Sequence, residues 1–217
     1  MLIAARNGFM AGGKRVPYDA EVEYLESTGT QWIDTGVPLY SDMQITASLG
    51  GLTFFSDSVL FGSNVSTSAS AGQFSASMFL YGLPASQIFC SNYNYTTSSI
   101  SGFVFGDGDH EIKKVGNKTY LDGVLKQSPA AVPRYYAGGN CFIFWGDGYH
   151  VGAFANKAKA KIKAFLVCDS LGQPLFDGIP VRFTNEQSQT EGAMYDRVSG
   201  QLFRNRGTGA FIIGPDV

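Results

Sequence analysis

Residues 21–37 read EVEYLESTGTQWIDTGV, and the reading of this stretch decides how the chain begins to fold. Val22 and Tyr24 alternate with Glu21 and Glu23, the period-two pattern of a half-buried strand. The alternation predicts Val22 and Tyr24 on a core and the two glutamates in water. TQWIDTGV (30–37) then offers Trp32 and Ile33 to the same core before Thr35-Gly36. The three glutamates also raise a chemical question. Glu21, Glu23 and Glu26 form an E-x-E-x-x-E pattern, and some β-sandwich glycosidases carry catalytic carboxylates along one strand at such spacing.

Outward from this stretch the chain continues as short strands between turn signals. In DMQITASL (42–49), Met43, Ile45, Ala47 and Leu49 share a face, and QFSASMFLYG (73–82) groups Phe74, Ala76, Met78 and Leu80. SVLFGS (58–63) and QIFCSNY (87–93) are further short strands. The Ser-rich stretch 62–72 and the polar stretch 91–102 read as loops at one end of a sandwich. DHEIKKVGNKTYLDGVLKQ (109–127) is the clearest local signal. Ile112 and Val115 lead to the turn pair Gly116-Asn117, Tyr120 and Val124 return, and Asp122-Gly123 is a second tight turn. CFIFWG (141–146) reads as a buried strand ending at Trp145. KAKIKAFLVCD (159–169) mixes helix-forming Ala and Lys with alternating Ile162, Ala164, Leu166 and Cys168; it reads as a strand closed by Asp169-Ser170-Leu171-Gly172. PVRFTN, GAMYD and QLFRN finish the chain as strands, the last two joined through Ser199-Gly200.

Composition agrees with an all-β protein. Of 217 residues, 16% are charged against about 25% in an average domain, while 14% are aromatic and 27 are glycine. The net charge of −2 leaves no electrostatic footprint for nucleic acid. No stretch approaches the roughly 20 apolar residues of a membrane span. The apolar run Met1–Ala5 is short and interrupted by Arg6, which predicts no signal peptide. Cys90, Cys141 and Cys168 are odd in number, far apart and set in apolar runs; they read as buried thiols.

Three stretches carry a resemblance. EYLESTGTQWIDTG (23–36) resembles the opening of laminin-G-like, concanavalin-A-like jelly-roll domains common in phages and prophages of gut bacteria. GDGDHEIKK (106–114) with TYLDGVL (119–125) resembles the laminin-G signature, with Asp109 standing where an aromatic is usual. Residues 161–211, which contain GAMYD and NRGTGAF, are similar to the closing part of the same domain. The resemblance implies an all-β, two-sheet antiparallel sandwich over 19–217 and a place in a virion, as tail fibre, head fibre or capsid decoration. It implies no single shared activity.

Residues 1–18 are the expected assembly arm. Leu2, Ile3, Phe9 and Met10 are its apolar anchors, and Arg6, Lys14 and Arg15 its positive charges, suited to other virion proteins and to a homo-oligomer. No cofactor and no metal are expected; Asp107, Asp109 and Asp147 lie in turns, but no run forms a calcium loop. The glutamates read as an exposed acidic edge and not as catalytic groups, so no catalytic residue is assigned. For a bacterial glycan or a protein partner the candidates are Tyr93, Tyr95, Tyr135, Tyr136, Asp147 and Tyr149, aromatic or polar groups among small and polar neighbours.

Overall fold

The computed structural model describes residues 16–53, 58–63, 77–81, 87–92, 96–100, 108–128, 134, 136–144 and 156–217. Among them there is no helix. The first strands are β1 (Ala20–Glu21), β2 (Leu25–Thr28), β3 (Ile33–Tyr40), β4 (Gln44–Thr53), β5 (Ser58–Gly62) and β6 (Ser77–Tyr81). Next come β7 (Gln87–Asn92), β8 (Thr96–Ile100), β9 (His110–Val115), β10 (Lys118–Leu121), β11 (Val124–Gln127) and β12 (Tyr136–Ile143). The chain closes with β13 (Asn156–Lys157), β14 (Lys159–Cys168), β15 (Pro174–Thr184), β16 (Thr190–Asp196), β17 (Gln201–Arg204) and β18 (Ile212–Ile213).

The strands form two sheets. One runs β11-β10-β9-β4-β14-β15-β16-β17, with β1 beside β15 and β2 between β14 and β18. The other runs β3-β12-β5-β6-β7-β8, with the short β13 added in parallel to β5. The sheets stack as a jelly-roll sandwich, and one apolar core fills the space between them. Phe61 of β5 meets Phe165 of β14 edge to face at 5.5 Å, and Phe176 carries the aromatic chain on to Phe203. Cys141 and Cys168 are buried free thiols; Cys90's side chain and Trp145 lie outside the described surroundings.

The strand positions follow the sequence, and the facing of side chains departs from it at identifiable irregularities. Met43, Ile45, Ala47 and Leu49 are all buried, as alternation requires. At the opening stretch Val22 is buried, but a bend at Glu23–Tyr24 resets the phase. Leu25 and Ser27 then point inward, and Tyr24 lies half-buried under the ammonium of Lys161. Ile33 takes the core position while Trp32 turns to the edge of Phe142. In β14 the register against β4 shifts between Ile162 and Ala164, a bulge that exchanges the faces of the residues up to Val167; a second shift against β15 keeps Cys168 buried beside it. Ala164 is therefore exposed, and Phe165 and Val167 fill the core instead. The polar stretch expected as a loop over 91–102 contains β8, which extends the second sheet against β7.

The β9–β10–β11 meander forms as expected. Gly116, at φ 55°, opens its first two-residue turn; Asp122 and Gly123, at 50° and 75°, make its second, with the mirror-image twist that tight hairpins favour. Its inward residues are Ile112, Lys114, Thr119 and Leu121, where the sequence points to Val115, Tyr120 and Val124. Lys114 is the surprise. Its chain is buried, and its ammonium donates to the carbonyls of Ser41 (3.1 Å) and Gly116.

A second, smaller apolar cluster of Val181, Phe183 and Ala193 sits on the outer side of β15–β16. Tyr18 covers it, its ring edge-on to Tyr195 at 4.9 Å and its hydroxyl donating to Glu21. Burial and then that bond push Tyr18 up to about 12. The packing of the sandwich thus reaches back to Tyr18.

Asp196, in the closing GAMYD motif, explains the final hairpin. Its carboxylate accepts the amides of Asp177, Val198 and Ser199 at 2.8, 3.1 and 3.0 Å. Burial alone would raise its pKa, but these hydrogen bonds outweigh it and hold the group below the usual aspartate range. Because the folded value lies below the unfolded one, the stabilisation is complete above the unfolded value of about 3.9 and is lost as pH falls through the folded one. Urea midpoints are expected to fall below about pH 4, and Asp196→Asn should be less stable at pH 7 yet converge with the parent in acid. Parallel curves at all pH values would refute this assignment.

Candidate ligand-binding groove

The opening and closing motifs fold against each other. Gln31, buried at the end of STGTQ, accepts the Thr28 amide at 2.8 Å through Oε1, and its Nε2 donates to the Ala210 carbonyl at 2.9 Å. Thr30 Oγ1 donates to the carbonyl of Thr208. Asn205 Oδ1 accepts the amides of Trp32 and Gly207, and Asn205 Nδ2 donates to the Gly209 carbonyl. The Arg206 amide donates to the Trp32 carbonyl at 2.8 Å. Residues about 175 apart are thereby clasped, and the clasp ties the end of β17 to the start of β3.

Beyond that tie the two strands face each other without forming a ladder. β17 ends the first sheet and bonds only β16; β3 ends the second and bonds only β12. A groove of about 350 Å³ opens between them. Asp34 forms one wall; Gln201, Phe203, Arg204, Asn205 and Arg206 form the other. Asp34 is anchored, its Oδ1 accepting the Gly36 amide (2.8 Å) and Asn140 Nδ2 (3.0 Å). Alternation along β17 sends Phe203 inward against Phe176 and Leu202 outward onto the smaller cluster, so the strand is packed on both faces and rigid. The guanidinium of Arg204 lies 4.5 Å over the Phe183 ring. The groove therefore presents the Asp34 carboxylate on β3 and, from β17 and the residues that follow it, the Gln201 carboxamide and the Arg206 guanidinium.

Of the candidates read from the sequence, only Tyr136 lies among the described residues; Tyr93, Tyr95, Tyr135, Asp147 and Tyr149 lie outside them, as do Leu2, Ile3, Arg6, Phe9, Met10, Lys14 and Arg15. Tyr136 is exposed and stacks against Tyr40 at 5.3 Å, with Arg134 over the Tyr40 ring and paired to Asp42. This patch is at the far end of β3 from Asp34, some 20 Å away by strand rise, and takes no part in the groove. The residues that line the groove had one sequence signal, the alternate arginines at 204 and 206, and nothing in the sequence linked them to Asp34.

The glutamates do not assemble along one strand. Glu21 accepts from Tyr18 and sits opposite Val181 of β15, whereas Glu26, past the bend, sits opposite Lys161 of β14 and Ile212 of β18. The histidine of the hairpin signature is also structural: His110 Nδ1 lies 2.8 Å from Asp122 Oδ2, and the Glu111 amide donates to Oδ1. Burial would raise Asp122, but the bonds from His110 and Glu111 outweigh it and lower the carboxyl. Asp109 pairs with Lys163 at 2.6 Å. Among the described residues no group of three His, Cys, Asp or Glu side chains is placed to hold a metal ion, and no helix is long and apolar enough to cross a membrane.

The fold and its seam define a class, the two-sheet jelly-roll sandwich with a groove between sheet edges. No protein-family model matches the chain, and no curated protein matches it. Among solved structures, the chain is similar to a Bacteroides ovatus ATCC 8483 protein provisionally named as carbohydrate binding. The TM-score is 0.56 with 9% sequence identity over 90% of this chain, and the match spans 60% of that protein's chain. At that identity the likeness establishes the fold.

Proposed function

We propose that this chain is a carbohydrate-binding sandwich that cleaves no bond and is carried on a bacteriophage particle. One observation carries the binding half of the reading, the seam groove with its planar polar side chains. Amides, carboxylates and guanidinium groups match the paired hydroxyls of a sugar, and a rigid strand keeps them oriented before the ligand arrives. Among the described residues that line the groove, Asp34 is the single acid, whereas glycoside hydrolysis uses two carboxyls about 5–10 Å apart. The carbohydrate-binding name of the structurally similar protein supports the same reading. The particle half is supported by the resemblance of residues 23–36 and 161–211 to phage-associated domains and by the basic and apolar side chains within residues 1–18.

Both halves can be tested with the full chain and a truncation starting at Val16, which retains Tyr18 on its cluster. Both proteins are expected to bind purified bacterial surface polysaccharide without shortening it, and only the full chain to enter particles. Absence of binding to every polysaccharide sinks the binding half; a shortened polymer sinks the non-catalytic part. Normal incorporation of the truncated chain sinks the assembly role.

A further inference from the structure

The charges of the groove point to a narrower ligand class. Five arginines lie among the described residues. Arg134, Arg182 and Arg197 each pair with a carboxylate, those of Asp42, Asp216 and Asp177. Arg204 and Arg206 have no ion-pair partner among the described residues, and both line the groove. With Asp34 as the one acid on the wall, the lining carries two positive charges and one negative, net +1, on a chain whose formal charge is −2. Asp34 Oδ1 is taken up by the Gly36 amide of its own strand and by Asn140 of the neighbouring β12. The Arg204 guanidinium lies over the Phe183 ring of β15, on the side of β17 away from β3, which leaves Arg206 as the guanidinium free to meet a ligand at the wall.

We infer that the groove takes an anionic sugar, a carboxylate-bearing residue such as a uronic acid, with Arg206 receiving the carboxylate and Gln201 and Asp34 the neighbouring hydroxyls. This rests on the carbohydrate-binding reading above and deepens it. A guanidinium matches a carboxylate with two parallel hydrogen bonds, which a neutral sugar cannot supply. The free edge of β17 adds unladdered backbone groups along the same wall. A carboxylate could also come from an acidic peptide laid along that edge, so the test separates the two sources.

The test uses the full chain and three probes, trigalacturonate, neutral galactotriose and triglutamate, titrated by calorimetry at low and high salt. Trigalacturonate is expected to bind at least about tenfold tighter than the other two, with affinity falling as salt rises. Arg206→Gln should weaken it about tenfold or more and flatten the salt dependence, and Arg204→Gln, which removes a charge farther from the ligand, should weaken it less, both with an unchanged melting temperature, since both side chains are exposed. Equal binding of galactotriose would overturn the anionic inference while leaving the carbohydrate reading intact. Equal binding of triglutamate, lost in the same variants, would make the ligand an acidic chain and not a sugar. Undiminished trigalacturonate binding in both variants would remove the groove as its site. Binding of neither sugar would sink this inference, while the carbohydrate reading stands or falls with the polysaccharide assay above.

Discussion

Gly207→Ala is expected to lower the unfolding free energy by about 3 kcal/mol or more, at the upper end of the range for overpacking. A methyl built on Gly207 would lie 1.9 Å from the Thr30 carbonyl oxygen, 2.9 Å from its carbon and 3.0 Å from Cδ1 of Trp32. The first two are backbone atoms, and neither side of the approach can give. Asn205 Oδ1 holds the Gly207 amide at 2.8 Å, the Arg206 amide bonds the Trp32 carbonyl, and the Thr208 amide bonds the Thr30 carbonyl itself. Making room breaks the clasp between the opening and closing motifs. Gly108→Ala is the control: nothing lies within 4 Å of its added methyl, and a change beyond about 0.5 kcal/mol is not expected there. Urea denaturation checks both, and a loss under 1 kcal/mol at Gly207 would show that the two motifs are not held as described.

Gln31→Ala is expected to cost about 2–4 kcal/mol, because it removes a buried carboxamide and strands its partners. The Thr28 amide loses its acceptor and the Ala210 carbonyl its donor, and the carboxamide that is removed is itself buried. Gln31→Glu separates these terms. The carboxylate keeps the acceptor but faces the Ala210 carbonyl, an unfavourable pairing that raises its folded pKa. A raised value means stability present at low pH and lost as pH climbs through it. The glutamate variant should therefore gain on the parent on acidification, opposite in sign to the effect of Asp196. Gly207→Ala and Gln31→Ala combined should cost less than their sum, since both undo one clasp. Full additivity would mean the two ends stabilise the sandwich independently.

The motifs that carried the family resemblance turn out to be joints. STGTQ and NRGTGAF hold each other, GAMYD supplies the Asp196 carboxylate that builds the last hairpin, and the His110–Asp122 pair locks the hairpin at the other end of the sheet. Such positions are tightly constrained by geometry, which is why they stand out in a sequence. The groove beside the clasp is built from residues with ordinary neighbours. Only Arg204 and Arg206 hint at it, and they read equally well as a solvated strand edge.

Strand existence was legible because period-two alternation and the turn pairs Gly116-Asn117 and Asp122-Gly123 are local properties of the chain. The amino-acid sequence by itself determined an all-β chain, most of its strands, and the exposure of Glu21 and Glu23. Only the tertiary structure decided which face each strand buries after an irregularity. The bend at Glu23–Tyr24 and the bulge between Ile162 and Ala164 insert one residue of phase, and a single step exchanges core and solvent for the residues that follow until the next irregularity. Only it, too, decided the site. Asp34 on β3 and Arg206 just past β17 are 172 positions apart, and their meeting depends on the edges of two different sheets closing on each other, which no local pattern encodes.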